Sequence, residues 1–239
     1  MVYNVIGWTR TMGNTESLSR QHRTAIQAVI FDYGNVLSCP QNNSDVSAMA
    51  ERCGMPIKRF HDFYWKFRPA YDRGELNGAS FWTSVTAQEG RRPTPEEISE
   101  LISLDIQSWL QINQATMTWA EQLHRAGIRL ALLSNMPLEI ARYIENNCPW
   151  VSYFDPLIFS CDWGSIKPNL AIYRICLARL GVLPAKVLFL DDRVENVAAA
   201  AQLGIPSLVF DDMAKVSKEV EKVFDLPLPS EIEVSATRK

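Results

Sequence analysis

The sequence lacks a long apolar run. No stretch approaches the roughly 20 residues that cross a bilayer, so a membrane is not an expected partner. It also lacks a dominant charge: 24 Lys and Arg stand against 27 Asp and Glu, a net charge of -3. Without a basic field, nucleic acid is not an expected partner either. Cysteine is sparse. The five (Cys39, Cys53, Cys148, Cys161 and Cys176) are scattered, odd in number and free of any CxxC pair. That argues against a zinc site or a disulfide framework. The reading is a reduced, cytoplasmic protein with buried thiols. The three histidines, His22, His61 and His124, show no metal-ligand spacing. No internal repeat is visible. Residues 1–24 have no continuous apolar core, so they do not read as a secretory signal. With Gly13, Asn14, Ser17 and Ser19 they read as a mobile extension.

What is present suffices for one sizeable core, with or without a small insertion: 239 residues, 47% of them hydrophobic. Five short apolar runs punctuate the chain, at 28–31 (AVIF), 128–133 (IRLALL), 157–159, 187–190 (VLFL) and 207–210 (SLVF). Continuous runs of this length suit strands buried on both faces of a parallel sheet. Helical patterns lie between them, at 116–126, 138–146, 169–180, 194–203 and 213–224. Strand and helix in alternation predict an α/β fold, a doubly wound parallel sheet. Ligands of such sheets gather at the carboxyl ends of the strands. Asp32, Ser134, Asp191 and Asp192 all fall at or just after those ends.

From Pro40 to about Asn113 the strand rhythm stops. Helices are predicted at 46–52, 57–71, 80–88 and 95–109, the last opened by Thr94, Pro95 and Glu97 as a capping box. The domain reading is therefore a core of 25–39 and 114–226, an inserted all-helical cap of 40–113, and an irregular tail of 227–239. Within the cap, Phe60, Phe63, Tyr64, Trp65 and Phe67 read as its core. Arg68, Tyr71 and Arg73 are readable equally as substrate-facing or as solvated or ion-paired. The acidic run Glu96, Glu97 and Glu100 reads as a solvated helix face.

Four segments carry the chemistry: Phe31-Asp32-Tyr33-Gly34-Asn35, Leu133-Ser134-Asn135, Ser165-Ile166-Lys167-Pro168, and Leu190-Asp191-Asp192-Arg193 through Asn196. A carboxylate at a strand end, two residues before a glycine that lets the chain turn, is a candidate nucleophile. Asp191 and Asp192 would bring further negative charge to the same edge. Converging carboxylates repel, so one holds a proton or a cation binds. Hard oxygen ligands of this kind favour Mg²⁺. Ser134 and Asn135 precede a helix start and can form an anion site. Lys167 can neutralise both nucleophile and phosphate. Positioning plus charge stabilisation is most of what phosphoryl transfer requires. Taken singly, each residue also has a bland reading. Asp32, Ser134, Asn135, Asp191 and Asp192 could be turn or helix caps, and Lys167 a solvated charge. Their order and common placement favour the functional one.

Together these segments resemble the four motifs of the haloacid dehalogenase superfamily, across residues 26–211. The stretch Tyr71-Asp72-Arg73-Gly74-Glu75-Leu76, followed by Phe81, resembles the helical cap of its subfamily I. Gly-Asn shortly after the nucleophile is similar to a branch of sugar-phosphate phosphatases that includes glucose-1-phosphatase-like proteins. The resemblance implies that Asp32 attacks phosphorus, Ser134 and Asn135 hold phosphoryl oxygens, and Lys167 bridges nucleophile and phosphate. It implies Mg²⁺ on Asp32, Asp192, Asp191 and the Gly34 backbone carbonyl, with Asn196 orienting that shell; Asn196 is equally readable as structural. The expected partner is a small phosphorylated molecule; the oligomeric state is left open.

One departure matters. The family's phosphatases usually carry an aspartate, acting as general acid and base, where this chain has Gly34. Acid–base help of that kind is worth roughly 100- to 10,000-fold. The expectation is slow turnover, a good leaving group such as an anomeric phosphate, or a replacement acid, with Asp72, Glu75 and Tyr33 as candidates. Two other readings compete with a Mg²⁺-dependent phosphatase. One is a metal-free 2-haloacid dehalogenase, favoured by Gly34 and opposed by the Asp191-Asp192 pair. The other is a turnover-impaired binding protein, opposed by Asp32, Lys167 and Asp192.

Overall fold

The structure, a computed structural model, describes residues 23–228. In chain order its elements are β1 (Thr24–Ala25), β2 (Ala28–Phe31), α1 (Asn43–Cys53), α2 (Ile57–Asp72), α3 (Gly78–Thr86), α4 (Pro95–Ser108), α5 (Gln114–Arg125), β3 (Arg129–Ser134), α6 (Leu138–Asn147), β4 (Leu157–Phe159), α7 (Leu170–Leu180), β5 (Val187–Asp191), α8 (Val194–Gln202), β6 (Ser207–Val209), α9 (Met213–Val223) and β7 (Phe224–Asp225).

The main sheet has five parallel strands in the order β4-β3-β2-β5-β6. Its strands are apolar on both faces because both faces are covered. Val29, Phe31, Leu130, Leu132, Leu188 and Leu190 join α5, α6 and α9 in one cluster. Their neighbours Ala28, Ile30, Ala131, Leu133, Val187 and Phe189 join α7 and α8 in a second. This is the doubly wound sheet that the alternating runs predict. The chain leaves β2 towards β3 and β4, then returns to β5 and β6 on the other side. The carboxyl end of β2 therefore lies at the switch point, where such sheets form their crevice.

Helices α1 to α4 interrupt the sheet and have a core of their own, built on Met49, Cys53, Phe60, Tyr64, Phe81, Trp82, Val85 and Leu101. The connections into and out of this unit run side by side. Cys39 N–H donates to Gln111 O at 2.7 Å, and Asn113 N–H to Leu37 O at 2.9 Å. The capping box opening α4 is formed in full by Thr94 and Glu97. Of the predicted aromatic core, Phe60 and Tyr64 are fully buried, whereas Trp65 is 47% exposed and sets its edge against Tyr64.

The sequence reading is corrected at both ends of the described residues. Thr24 pairs with Phe224 in a second, two-stranded parallel sheet, β1 with β7. The predicted helix 213–224 therefore ends one residue early. Pro227, read as the start of an irregular tail, accepts a hydrogen bond from Trp119 Nε1 at 2.8 Å. Residues 1–22 and 229–239, most of the predicted extension and tail, lie outside the described residues.

Candidate active site

Three strands deliver the polar residues to one place. Asp32 follows β2 and its N–H donates to Leu190 O of β5 at 2.9 Å. Ser134 closes β3, and Asp191 closes β5. Lys167 comes from the loop before α7. Its Nζ lies 2.7 Å from Asp32 Oδ1, 2.7 Å from Asp191 Oδ2 and 2.9 Å from Leu133 O. Asp32, Lys167 and Asp191 are buried, and Asp192 is partly exposed. Carboxylate oxygens of Asp32, Asp191 and Asp192 lie within 4.8 Å of one another.

Such crowding has a cost. Burial pushes the Asp32 carboxyl up to about 8 against the pull of Lys167, and Asp191 adds to the rise. Burial alone would lower the Lys167 ammonium, but Asp191 and Asp32 together hold it above its ordinary value. Three carboxylates thus share one ammonium. The excess negative charge and the all-oxygen donor set fit a hard divalent cation such as Mg²⁺.

The supporting residues are less symmetrical than the sequence suggested. Asp191 accepts on both oxygens: Asn196 Nδ2 donates to its Oδ1 and Oδ2 at 2.9 and 3.1 Å, and Arg193 N–H to Oδ1 at 2.9 Å. Asn196, equally readable as structural, thus orients Asp191. Asn135, expected to hold phosphoryl oxygens, turns its amide to the Lys167 backbone. It donates to Lys167 O at 3.0 Å and accepts from Lys167 N–H at 2.7 Å. In this conformation it fixes the lysine loop.

Asn35 was missed. It adopts φ 60°, the left-handed region, and its Nδ2 donates to Asp192 Oδ2 at 2.8 Å. A signal did exist: after Gly34, asparagine is the side-chain-bearing residue best suited to that backbone.

The three replacement acids also separate. The Tyr33 hydroxyl is spent on Trp109 O at 2.8 Å, and burial raises it further above its usual range. Glu75 is exposed, and its hydrogen bond to Arg73 lowers its carboxyl. Asp72 is the buried carboxyl among the three. Burial raises its carboxyl against the pull of Arg68, whose Nε donates to its Oδ1 at 2.7 Å. A cavity of about 30 Å³ beside the site is lined by Gly34, Ser134 and Asn135 from the sheet side and by Arg68 and Trp109 from the helical side. At Gly34 a side chain would meet the Trp109 ring, 3.4 Å from an added Cβ. A larger groove of about 530 Å³ opens near the start of β3, among Arg129, Asp155 and Arg179, and contains none of these residues.

The chain matches the haloacid dehalogenase-like hydrolase family over residues 26–204. It belongs to that family. Among its relatives is bifunctional epoxide hydrolase 2 of Rattus norvegicus, 27% identical over 222 residues, 86% of this chain and 40% of the relative; the chain thus spans less than half of that protein. The sesquiterpene phosphatase astK of Aspergillus oryzae is 23% identical, over 84% of this chain and 97% of its own. Among solved structures, a HAD family enzyme of Bacteroides thetaiotaomicron in complex with magnesium and inorganic phosphate has a TM-score of 0.64 at 18% identity, over 80% of this chain and 99% of that one. The shared fold of this family member is the doubly wound sheet described above. Among the described residues no helix is long and apolar enough to cross a membrane.

Proposed function

We propose that the chain is a Mg²⁺-dependent phosphatase of a small phosphorylated metabolite, a sugar phosphate among the candidates, working through an aspartyl-phosphate on Asp32. The carrying observation is the placement of Lys167 Nζ 2.7 Å from both Asp32 and Asp191, beside Asp192 in one carboxylate cluster. The likeness to a relative named a phosphatase supports the reaction class.

In this reading the Asp32 carboxylate attacks phosphorus, and Lys167 screens its repulsion from the phosphoryl oxygens. Ser134 and the Asn135 backbone N–H bind those oxygens. Asn135 positions Lys167; Asn196 and Arg193 N–H position Asp191; Asn35 positions Asp192. Asp32, Asp192, Asp191 and the Gly34 carbonyl are the residues that would hold Mg²⁺, which when bound offsets the charge of the phosphoryl group. The four-helix unit acts as a cap, since Arg68 and Trp109 face the cavity beside Gly34.

A panel of phosphorylated metabolites with Mg²⁺, scored by phosphate release, tests the reading. Hydrolysis that stops with excess chelator and in Asp32→Asn is the expected result. Halide release from 2-haloacids without added metal, and no phosphate release, would overturn it.

A further inference from the structure

With glycine at position 34, the leaving-group oxygen has no acid in the segment that carries the nucleophile. The helical unit brings a different polar group to that place. Arg68 is 5% exposed, yet it lines the cavity with Gly34, Ser134, Asn135 and Trp109. Its Nε is bound to Asp72, and one Nη meets the Tyr64 hydroxyl and lies 3.5 Å from Asp105 Oδ1. The contacts of Arg68 with the described residues use its Nε and that first Nη, which leaves the other Nη to donate into the cavity. Asp105 Oδ2 is buried without a hydrogen-bond partner. The cluster is therefore not closed on itself, as a purely structural ion pair would be.

Arg68 is also anchored to the phosphate loop. Ser160 Oγ donates to the backbone carbonyl of Asp72 and accepts from Met136 N–H at 2.8 Å. One hydroxyl thus ties the Arg68–Asp72 pair to the segment carrying Ser134 and Asn135. The guanidinium lies 5.8 Å from the Trp109 ring centre, and that ring covers Gly34.

We propose that Arg68 is a catalytic residue that donates a hydrogen bond from this Nη to the leaving-group oxygen of a phosphate monoester. The proposal rests on the phosphatase reading and deepens it. A bond forms from Asp32 Oδ to phosphorus as the bond from phosphorus to the ester oxygen breaks. The electron pair stays on that oxygen, which accepts the Arg68 hydrogen bond and then takes a proton from solvent water. The guanidinium keeps its own protons, as arginine does in proteins. It replaces acid catalysis by charge stabilisation, and so favours substrates whose leaving group already carries negative charge well.

The test is kcat/KM with Mg²⁺ across a series of aryl and alkyl phosphates of graded leaving-group pKa. The wild-type chain should fall steeply as that pKa rises. Arg68→Gln should lose about 100- to 1,000-fold on alkyl phosphates but under about tenfold on p-nitrophenyl phosphate. Arg68→Lys keeps a cation between Asp72 and Asp105 and should show the same trend more weakly; it carries the test if the Gln variant does not fold. A uniform loss on every substrate means a structural role and overturns the proposal, as does a wild-type rate indifferent to the leaving group. Failure of the wild-type chain to hydrolyse any phosphate ester would instead overturn the phosphatase reading, and the proposal with it; that result needs no variant.

Discussion

Two buried cations organise this molecule, one in the sheet core and one in the helical unit, and each sits between two carboxylates. In the core, Lys167 meets Asp32, Asp191 and Leu133 O, which uses all three of its ammonium protons. In the helical unit, Arg68 meets Asp72, Asp105 and the Tyr64 hydroxyl and still has donors to spare. The lysine is saturated and acts through its charge. The arginine, with five donors in a rigid fork, can reach outwards. The surroundings differ too. The core cluster carries a third carboxylate, Asp192, partly open to solvent, whereas the Arg68 cluster is enclosed by α2 and α4.

The widest contrast should come from Asp32→Asn. Turnover should drop by about four orders of magnitude or more, as for loss of other nucleophiles, with an unchanged circular dichroism spectrum. Retained activity would move the chemistry away from the core cluster. Next, Lys167→Ala leaves Asp32 and Asp191 buried without their cation, and should lower the unfolding free energy by about 3–5 kcal/mol in urea titration. A loss below ~1 kcal/mol would mean that water already reaches the cluster.

The independence of the helical core can be probed by Trp82→Ala. Removing this fully buried ring should cost about 3–5 kcal/mol. If the units unfold separately, its melting transition should split from that of the sheet; a single undivided transition would join the two regions. A smaller effect depends on pH. Asp32 is raised from its ordinary 3.8 to about 8, so the folded chain binds the extra proton. Its contribution to stability is full below the ordinary carboxylate value and is lost as pH rises through about 8. Without divalent cations, wild type should lose more stability than Asp32→Asn between about pH 6 and 9. Parallel curves would remove Asp32 as the source. Smallest is Thr94→Ala, which breaks the capping box of α4 and should cost about 1 kcal/mol; a neutral result would show that packing alone holds that helix end.

The core was readable because its signals are local. The runs at 28–31 and 157–159 match β2 and β4 to the residue, since apolar runs buried on both faces have sharp polar ends. The helical unit was legible as helices but not as a surface. Arg68 was equally readable as substrate-facing or ion-paired, and it is ion-paired while lining the cavity, which a one-dimensional pattern cannot express. Asn135 reads as an anion ligand from its place at a strand end, yet its amide is turned to Lys167 by a contact 32 residues away in sequence. The pairing of Thr24 with Phe224 spans 200 residues with a two-residue strand, too short to leave a pattern.

The sequence by itself determined the alternation of strand and helix, the helical insertion, and the delivery of Asp32, Ser134, Asp191 and Asp192 to strand ends, because those features follow from local hydrophobic periodicity. Tertiary structure alone decided which donors are spent and which are left over: Lys167 closed, Arg68 open, Asn135 turned inward, Asn35 on Asp192. Those outcomes depend on partners far apart in the chain, and hydrogen-bond capacity is settled only when the partners meet.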